Sequence, residues 1–164
     1  MKDPISVGLG EQVVSRDPED VLVAYGLGSC LGISMVDPIL RLSGLLHAVL
    51  PQWSSGMEPM NPASSKYVDS GIERLLASMI KEGAIKSRLI IRMAGGANML
   101  TSPGLKNSFE IGTRNIESAR VTFQRLNLIL RAEDVGGNTG RTVRFYVAEN
   151  RLTVRVIGEK EKEL

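Results

Sequence analysis

The chain has 164 residues, 43% hydrophobic and 23% charged, with 17 Gly, 7 Pro, one Cys, one His and a formal net charge of +2. That composition excludes a disordered chain, a collagen-like repeat and a disulfide scaffold, and a single thiol with a single imidazole excludes a Cys/His zinc site. The apolar runs fall short of the ~20 residues of a membrane span, so one cytoplasmic domain over residues 1–164 is expected, without membrane insertion. Met1-Lys2-Asp3-Pro4 agrees, since it puts an acid and a proline where a signal peptide needs an apolar core.

Ile5–Leu9 and Val21–Tyr25 are short apolar runs separated by the polar, turn-rich Ser15–Asp20, and both read as strands. After Gly26-Leu27-Gly28-Ser29-Cys30, Leu31–Val36 reads as a strand, Asp37-Pro38 as a turn and Leu42–Leu50 as the returning strand. Pro51–Ser65 is rich in Pro, Ser and Gly and has no periodicity. It reads as a surface loop, or as a rim beside a site in which Trp53, Met57 and Met60 make adaptable contacts. Ser65 would cap a helix over Lys66–Glu82, with Val68, Ile72, Leu75, Leu76, Met79 and Ile80 on one face and Gly83 as the stop. Leu89–Met93 is a strand leading into Gly95-Gly96-Ala97-Asn98, a tight turn that lacks the spacing and the Lys-Ser/Thr of a P-loop. A second helix, capped by Asn115 and running to about Leu126, would bury Ile116, Ala119 and Phe123. Leu128–Ala132 is a strand, Gly136-Gly137-Asn138 a turn, and the alternation of Val143, Phe145 and Val147, then Leu152, Val154 and Val156, gives a final hairpin. Glu159–Leu164 reads as a solvated charged tail. Strands outnumber helices and follow one another as neighbours. The expected fold is α+β: mostly antiparallel or mixed sheets, flanked by two main helices in a layered sandwich.

The one Cys and the one His, Cys30 and His47, lie on the two arms of a predicted hairpin. Pairing them centres the turn between Pro38 and Ile39 and sets their Cα atoms about 4.5–5.5 Å apart on one face. A register slipped by one residue would put them on opposite faces. The chemistry needs that proximity. A free thiol is only a few per cent thiolate at neutral pH, and a neighbouring imidazole can take its proton and later return one to a leaving amine. Holding the thiolate as an ion pair two units below its ordinary pKa takes about 2.7 kcal/mol. Gly26 and Gly28 allow a tight backbone path and close approach of a substrate, and the N–H groups around Ser29 and Cys30 are candidate oxyanion donors. The plainer alternative is a small buried thiol and a hydrogen-bonded core histidine.

Gly26-Leu27-Gly28-Ser29-Cys30, Asp37-Pro38 and His47-Ala48-Val49-Leu50-Pro51 together resemble the CheD chemoreceptor glutamine deamidase family. The likeness continues through Lys66-Tyr67-Val68-Asp69, Gly95-Gly96-Ala97-Asn98-Met99, Ile111-Gly112-Thr113-Arg114-Asn115 and Ala132-Glu133-Asp134-Val135-Gly136-Gly137-Asn138, in one order over nearly the whole chain. The resemblance implies a cysteine-hydrolase fold related to bacterial glutamine-deamidating toxins. It implies that the Cys30 thiolate attacks a receptor glutamine, ammonia leaves, and water releases a glutamate. It also implies methyl-accepting chemotaxis receptors as substrates, the phosphatase CheC as a partner, and no metal or organic cofactor. One position departs from the family: its triad includes a threonine six residues before the cysteine, where this chain has Ala24. Without a hydroxyl there, His47 needs another orienting group, and Ser29 and Ser43 are candidates, Ser43 sharing the face of His47 by strand parity. If none serves, the chain is a catalytically weak interaction module. Eight arginines between Arg114 and Arg155, against four acids, form either a solvated face or a docking surface for an acidic partner, and a net charge of +2 does not argue for nucleic acid.

Overall fold

The computed structural model describes residues 2–54, 64–99 and 110–164. Ten strands and two helices are present among them: β1 (Ile5–Ser6), β2 (Gln12–Ser15), β3 (Val21–Leu27), β4 (Leu31–Asp37), β5 (Leu42–Ala48), α1 (Val68–Lys81), β6 (Ile90–Gly95), α2 (Ile111–Arg125), β7 (Leu130–Val135), β8 (Arg141–Tyr146), β9 (Arg151–Val156) and β10 (Lys162–Glu163). They form two five-stranded sheets, ordered β1-β3-β8-β9-β10 and β2-β5-β4-β6-β7. The β1–β3 and β6–β7 pairs are parallel and the others antiparallel, so both sheets are mixed. The expected layered α+β sandwich is present, with both helices over the second sheet.

Two cores follow from the alternation along β4 and β5, whose fourteen residues are all buried. Leu31, Ile33, Met35, Leu46 and Ala48 face the helices and pack with Val68, Ile72, Leu75 and Met79 of α1 and with Ala119 and Phe123 of α2. Val36 and Leu45 face the other sheet and pack with Leu22, Ala24, Leu27, Val143, Phe145 and Val154. At about 1.5–3 kcal/mol for each large apolar side chain buried, these two layers dominate the favourable side of folding. On the first sheet's outer face Tyr25 is half exposed, whereas Val23 and Thr153 are buried.

Several local expectations fail for identifiable reasons. The α1 helix begins at Val68 after Tyr67, and no side chain caps it. Ser65 is fully buried instead, accepting hydrogen bonds from Gln12 Nε2 and Arg74 Nη1. Ile80, placed on the buried face by periodicity, is exposed. The α2 helix starts four residues before Asn115, which is an interior helical residue and not a cap. Its cap comes from elsewhere: Asn98 Oδ1 accepts from Thr113 N while Asn98 Nδ2 donates to Thr113 Oγ1. Local cap rules look only at the preceding residues, so a cap supplied across space escapes them. β2 lies within a polar run, and its Val13 and Val14 sit opposite Leu45 and Gly44 of β5. The β7 strand spans Leu130–Val135, shifted from the expected Leu128–Ala132. The charged terminus is exposed, but Lys162 and Glu163 pair with β9 and Leu164 packs on the inter-sheet core. Among the described residues, four of the eight clustered arginines pair with carboxylates: Arg120 with Glu133, Arg125 with Glu73, Arg141 with Asp134 and Arg151 with Glu149. Met57 and Met60 lie outside the described residues.

The β4–β5 hairpin turns on Asp37. Its Oδ1 accepts from the N–H of Ile39 and Leu40, and its Oδ2 from Ile85 N and from Arg88 Nε and Nη2, the last at 2.7 Å. Burial pushes this carboxyl up, but Arg88 and the backbone donors outweigh burial and hold it below the usual carboxylate range. Removing the guanidinium strands a buried charge. Arg88→Met is therefore expected to cost about 3 kcal/mol near neutral pH, measured by urea unfolding. A lowered Asp37 pKa stabilises the fold above about pH 3.9 and less below it, so the deficit of Arg88→Met must shrink as pH falls toward 3 and Asp37 protonates.

Candidate active site

The hairpin register differs by two residues from the expected one. Asp37 pairs with Leu42 and Gly32 with His47, so Pro38–Arg41 form a four-residue turn that ends with Arg41 at φ 54°. The wider turn follows from the Asp37 carboxylate, which binds two N–H groups of the loop and holds it open beyond a two-residue connection. A two-residue shift keeps the face. Extending the register puts Cys30 diagonal to His47, a spacing of about 7–8 Å between Cα atoms in a regular pair. Both belong to the face that looks at the first sheet: Cys30 packs on the inter-sheet core, and His47 follows Leu45 on β5. Gly32, opposite His47, has no side chain because Leu27 Cδ1 and Val143 Cγ2 would each lie 3.0 Å from its Cβ.

His47 is held on both sides of its backbone. Its N–H donates to Glu11 O, its carbonyl accepts from Gly10 N, and Gly32 is its partner across the β4 ladder. The imidazole is 4% exposed. Its Nδ1 lies 2.9 Å from the carbonyl oxygen of Val7. A carbonyl only accepts, so Nδ1 carries the hydrogen and Nε2 is left with its lone pair. Nε2 is buried and has no hydrogen-bond partner among the described residues. Val7 therefore orients the ring. Ser43 Oγ is likewise buried and unpartnered, and Ser29 takes part through its carbonyl, so neither hydroxyl bonds the imidazole. Continuing the β1–β3 register sets Val7 beside Ala24, both in the inter-sheet core.

Cys30 is half-buried and ends the Gly28–Cys30 bend that joins β3, irregular in register around Gly26 (φ 62°), to β4. Three successive carbonyls of this bend are held by hydrogen bonds. Gly28 O accepts from Ala97 N and Cys30 O from Gly96 N, each at 2.9 Å, and Ser29 O accepts from Asn115 Nδ2 at 2.8 Å. The glycine pair thus has a reason: a Cβ on Gly95 would lie 2.2 Å from Cys30 O. Gly112 is equally constrained, since its Cβ would lie 2.4 Å from the carbonyls of both Gly96 and Ala97. Met99 Cγ lies 3.3 Å from where a Cβ on Gly28 would be, so the thioether side chain overhangs the turn. Sequence reasoning missed Val7, Asn115 and the Gly96–Ala97 amides. The last two lie in the motifs of the family resemblance, where Asn115 reads as a helix cap and Gly95–Asn98 as a tight turn, and a backbone carbonyl such as that of Val7 leaves no residue-type signal.

The electrostatics overturn the expected ion pair. Burial pushes the Cys30 thiol up, more than its own backbone N–H lowers it. Burial also pushes His47 down, more than the Val7 carbonyl and the charge of Glu11 raise it. Both shifts favour a thiol and a neutral imidazole over the ion pair. Among the described residues no group of three His, Cys, Asp or Glu side chains could hold a metal ion. No described helix is long and apolar enough to cross a membrane.

Comparison with known proteins identifies the frame around this pair. The CheD family model, described as chemotactic sensory transduction, matches residues 49–156. The "Probable chemoreceptor glutamine deamidase CheD" of Symbiobacterium thermophilum is 43% identical over 159 residues, covering 97% of this chain and 96% of that one. The chain belongs to the CheD family. A relative of the same name from Caldanaerobacter subterraneus is 40% identical over 96% of both chains, and the "Chemoreceptor glutamine deamidase CheD" of Halalkalibacterium halodurans is 34% identical over 100% of both. The family model begins after His47, whereas the CheD relatives align across the cysteine turn and the histidine strand as well.

If burial governs the thiol, iodoacetamide alkylation of Cys30 should rise along a titration centred above the ordinary thiol value of about 8.5, not along one below pH 7. Rate measurements from pH 6 to 10 check this. An acid-shifted midpoint would restore the ion pair.

Proposed function

We propose that the chain is a protein-glutamine deamidase (glutaminase) of the cytoplasm that converts glutamine side chains of methyl-accepting chemotaxis receptors to glutamate, with Cys30 as nucleophile and His47 as general base. The observation that carries this reading is the single buried lone pair of His47 Nε2, left without a partner on the face that Cys30 shares. In the reaction Nε2 takes the thiol proton as Sγ bonds to the glutamine Cδ, and the carbonyl electrons move to oxygen. The oxyanion falls to the N–H groups of Cys30 and Ser29 beside Gly28. Collapse breaks the C–N bond, the imidazolium returns its proton to nitrogen, and ammonia leaves a thioester. Water, deprotonated by Nε2, attacks the thioester, and the thiol is regenerated with glutamate as product. The names of the CheD relatives support the receptor as substrate and amide hydrolysis as reaction.

A neutral resting pair supports this route, because proton transfer to Nε2 then occurs with attack and no charge separation has to be held in a buried site beforehand. It also orders the pH dependence. With His47 lowered from its ordinary value of about 6.5, the acid limb of kcat/KM falls below that pH, and the rate stays level until the thiol titrates above about 8.5. The direct test incubates the protein with a receptor cytoplasmic fragment and measures ammonia together with a mass gain of about one unit per glutamine. Cys30→Ala should release none, and His47→Gln should lose about 10²–10⁴-fold. Equal ammonia from wild type and Cys30→Ala would refute the assignment.

Ala24 favours a second reading, a weak or inactive CheD-like module that binds receptors or the phosphatase CheC. That reading requires receptor binding to persist in Cys30→Ala while neither form releases ammonia.

A further inference from the structure

Asn115 is fully buried in the second turn of α2, and its Nδ2 donates twice: to Ser29 O at 2.8 Å and to Val49 O at 3.0 Å. One carboxamide thus joins the peptide just before Cys30 to the chain just after His47. The two hydrogens of that nitrogen are its whole donor capacity, and both are used on these carbonyls. The Ser29–Cys30 peptide is trans, and in a trans peptide the C=O and N–H point in opposite directions. Drawing Ser29 O toward α2 therefore turns the Cys30 N–H away from the helix. An N–H beside the attacking sulfur is where negative charge appears on a carbonyl that the sulfur has attacked.

We propose that Asn115 is a positioning residue for the deamidation reaction: it sets the Ser29–Cys30 peptide plane so that the Cys30 N–H serves the oxyanion, and it ties that plane to the end of the histidine strand. The assignment rests on Cys30 as nucleophile. It concerns the developing charge on the substrate oxygen and not the thiol's own reactivity. Alkylation by iodoacetamide separates the two, because displacement at a saturated carbon develops no oxyanion.

The test compares wild type, Asn115→Leu and Asn115→Asp in the full chain, with ammonia release from a receptor fragment beside iodoacetamide alkylation of Cys30 across pH. Leucine matches the volume and removes both donors, and an ionised aspartate matches the shape and removes them as well. The expected result is a loss of about 10²–10³-fold in kcat, the scale of one oxyanion donor, while KM, alkylation rate and alkylation midpoint hold within about threefold. Wild-type kcat in the variants overturns the assignment, as does a parallel loss of alkylation, which marks a bond that merely holds the turn together. Unfolding of both variants, seen by circular dichroism, overturns it in the same way. Absence of ammonia from wild type sinks the nucleophile itself, and that outcome is distinct from an active wild type with active variants.

Discussion

The hydrogen bond between His47 Nδ1 and the Val7 carbonyl is the constraint from which the site's chemistry follows. It consumes the only hydrogen of a neutral imidazole and fixes which nitrogen keeps a lone pair. Both strands that make it possible are committed elsewhere. β1 is held parallel to β3, and β5 is central in its sheet, with β4 on one side and the chain from Gly10 to Ser15 on the other. The ring cannot turn without breaking a bond in a place where water does not replace it, and an unmade buried bond costs about 1–3 kcal/mol. The imidazole is thus fixed by sheet pairing, with no dedicated side chain behind it among the described residues.

Burial of both groups favours their neutral forms. Taking the charged forms out of water opposes both a thiolate and an imidazolium, and their mutual attraction would have to exceed that opposition. In this protein burial wins on each partner. In the proposed reaction charge then appears during attack, on the substrate oxygen and the imidazole together. Electrostatic stabilisation is most effective at the oxygen, where backbone N–H groups are already oriented and need no rearrangement. The tied carbonyls of Gly28, Ser29 and Cys30 supply that orientation, since each fixed carbonyl fixes the N–H on the other side of its peptide plane.

The parts of this architecture written as side-chain pattern were legible in the sequence. The apolar spacing of Val68, Ile72, Leu75 and Met79 marked α1, and the alternation of Val143, Phe145, Leu152 and Val154 marked β8 and β9. The face shared by Cys30 and His47 survived a two-residue error in the turn because side-chain direction repeats every two residues. What stayed hidden depends on groups that every residue carries or on partners distant in sequence. The Val7 carbonyl and the amides of Gly96 and Ala97 have no residue signature. Asn115 resembles a helix cap because Asn commonly is one, yet the cap comes from Asn98, in the loop after β6. β2 escapes a periodicity search because two of its four residues are polar, and one of them, Gln12, reaches Ser65.

Ala24 is best understood against that background. A threonine hydroxyl beside an imidazole can accept from it or donate to it, so its hydrogen must itself be oriented by a further acceptor. A backbone carbonyl has no such freedom and permits one tautomer. With Val7 beside position 24 and its carbonyl on Nδ1, the methyl group of Ala24 has only to fill the inter-sheet core, where it is fully buried with Leu22, Val143 and Phe145. The orienting role then passes from a side chain to the main chain of the neighbouring strand. Loss of the hydroxyl removes a polar group from an apolar layer and leaves the ring nitrogen satisfied, so alanine at this position is compatible with a working cysteine–histidine pair.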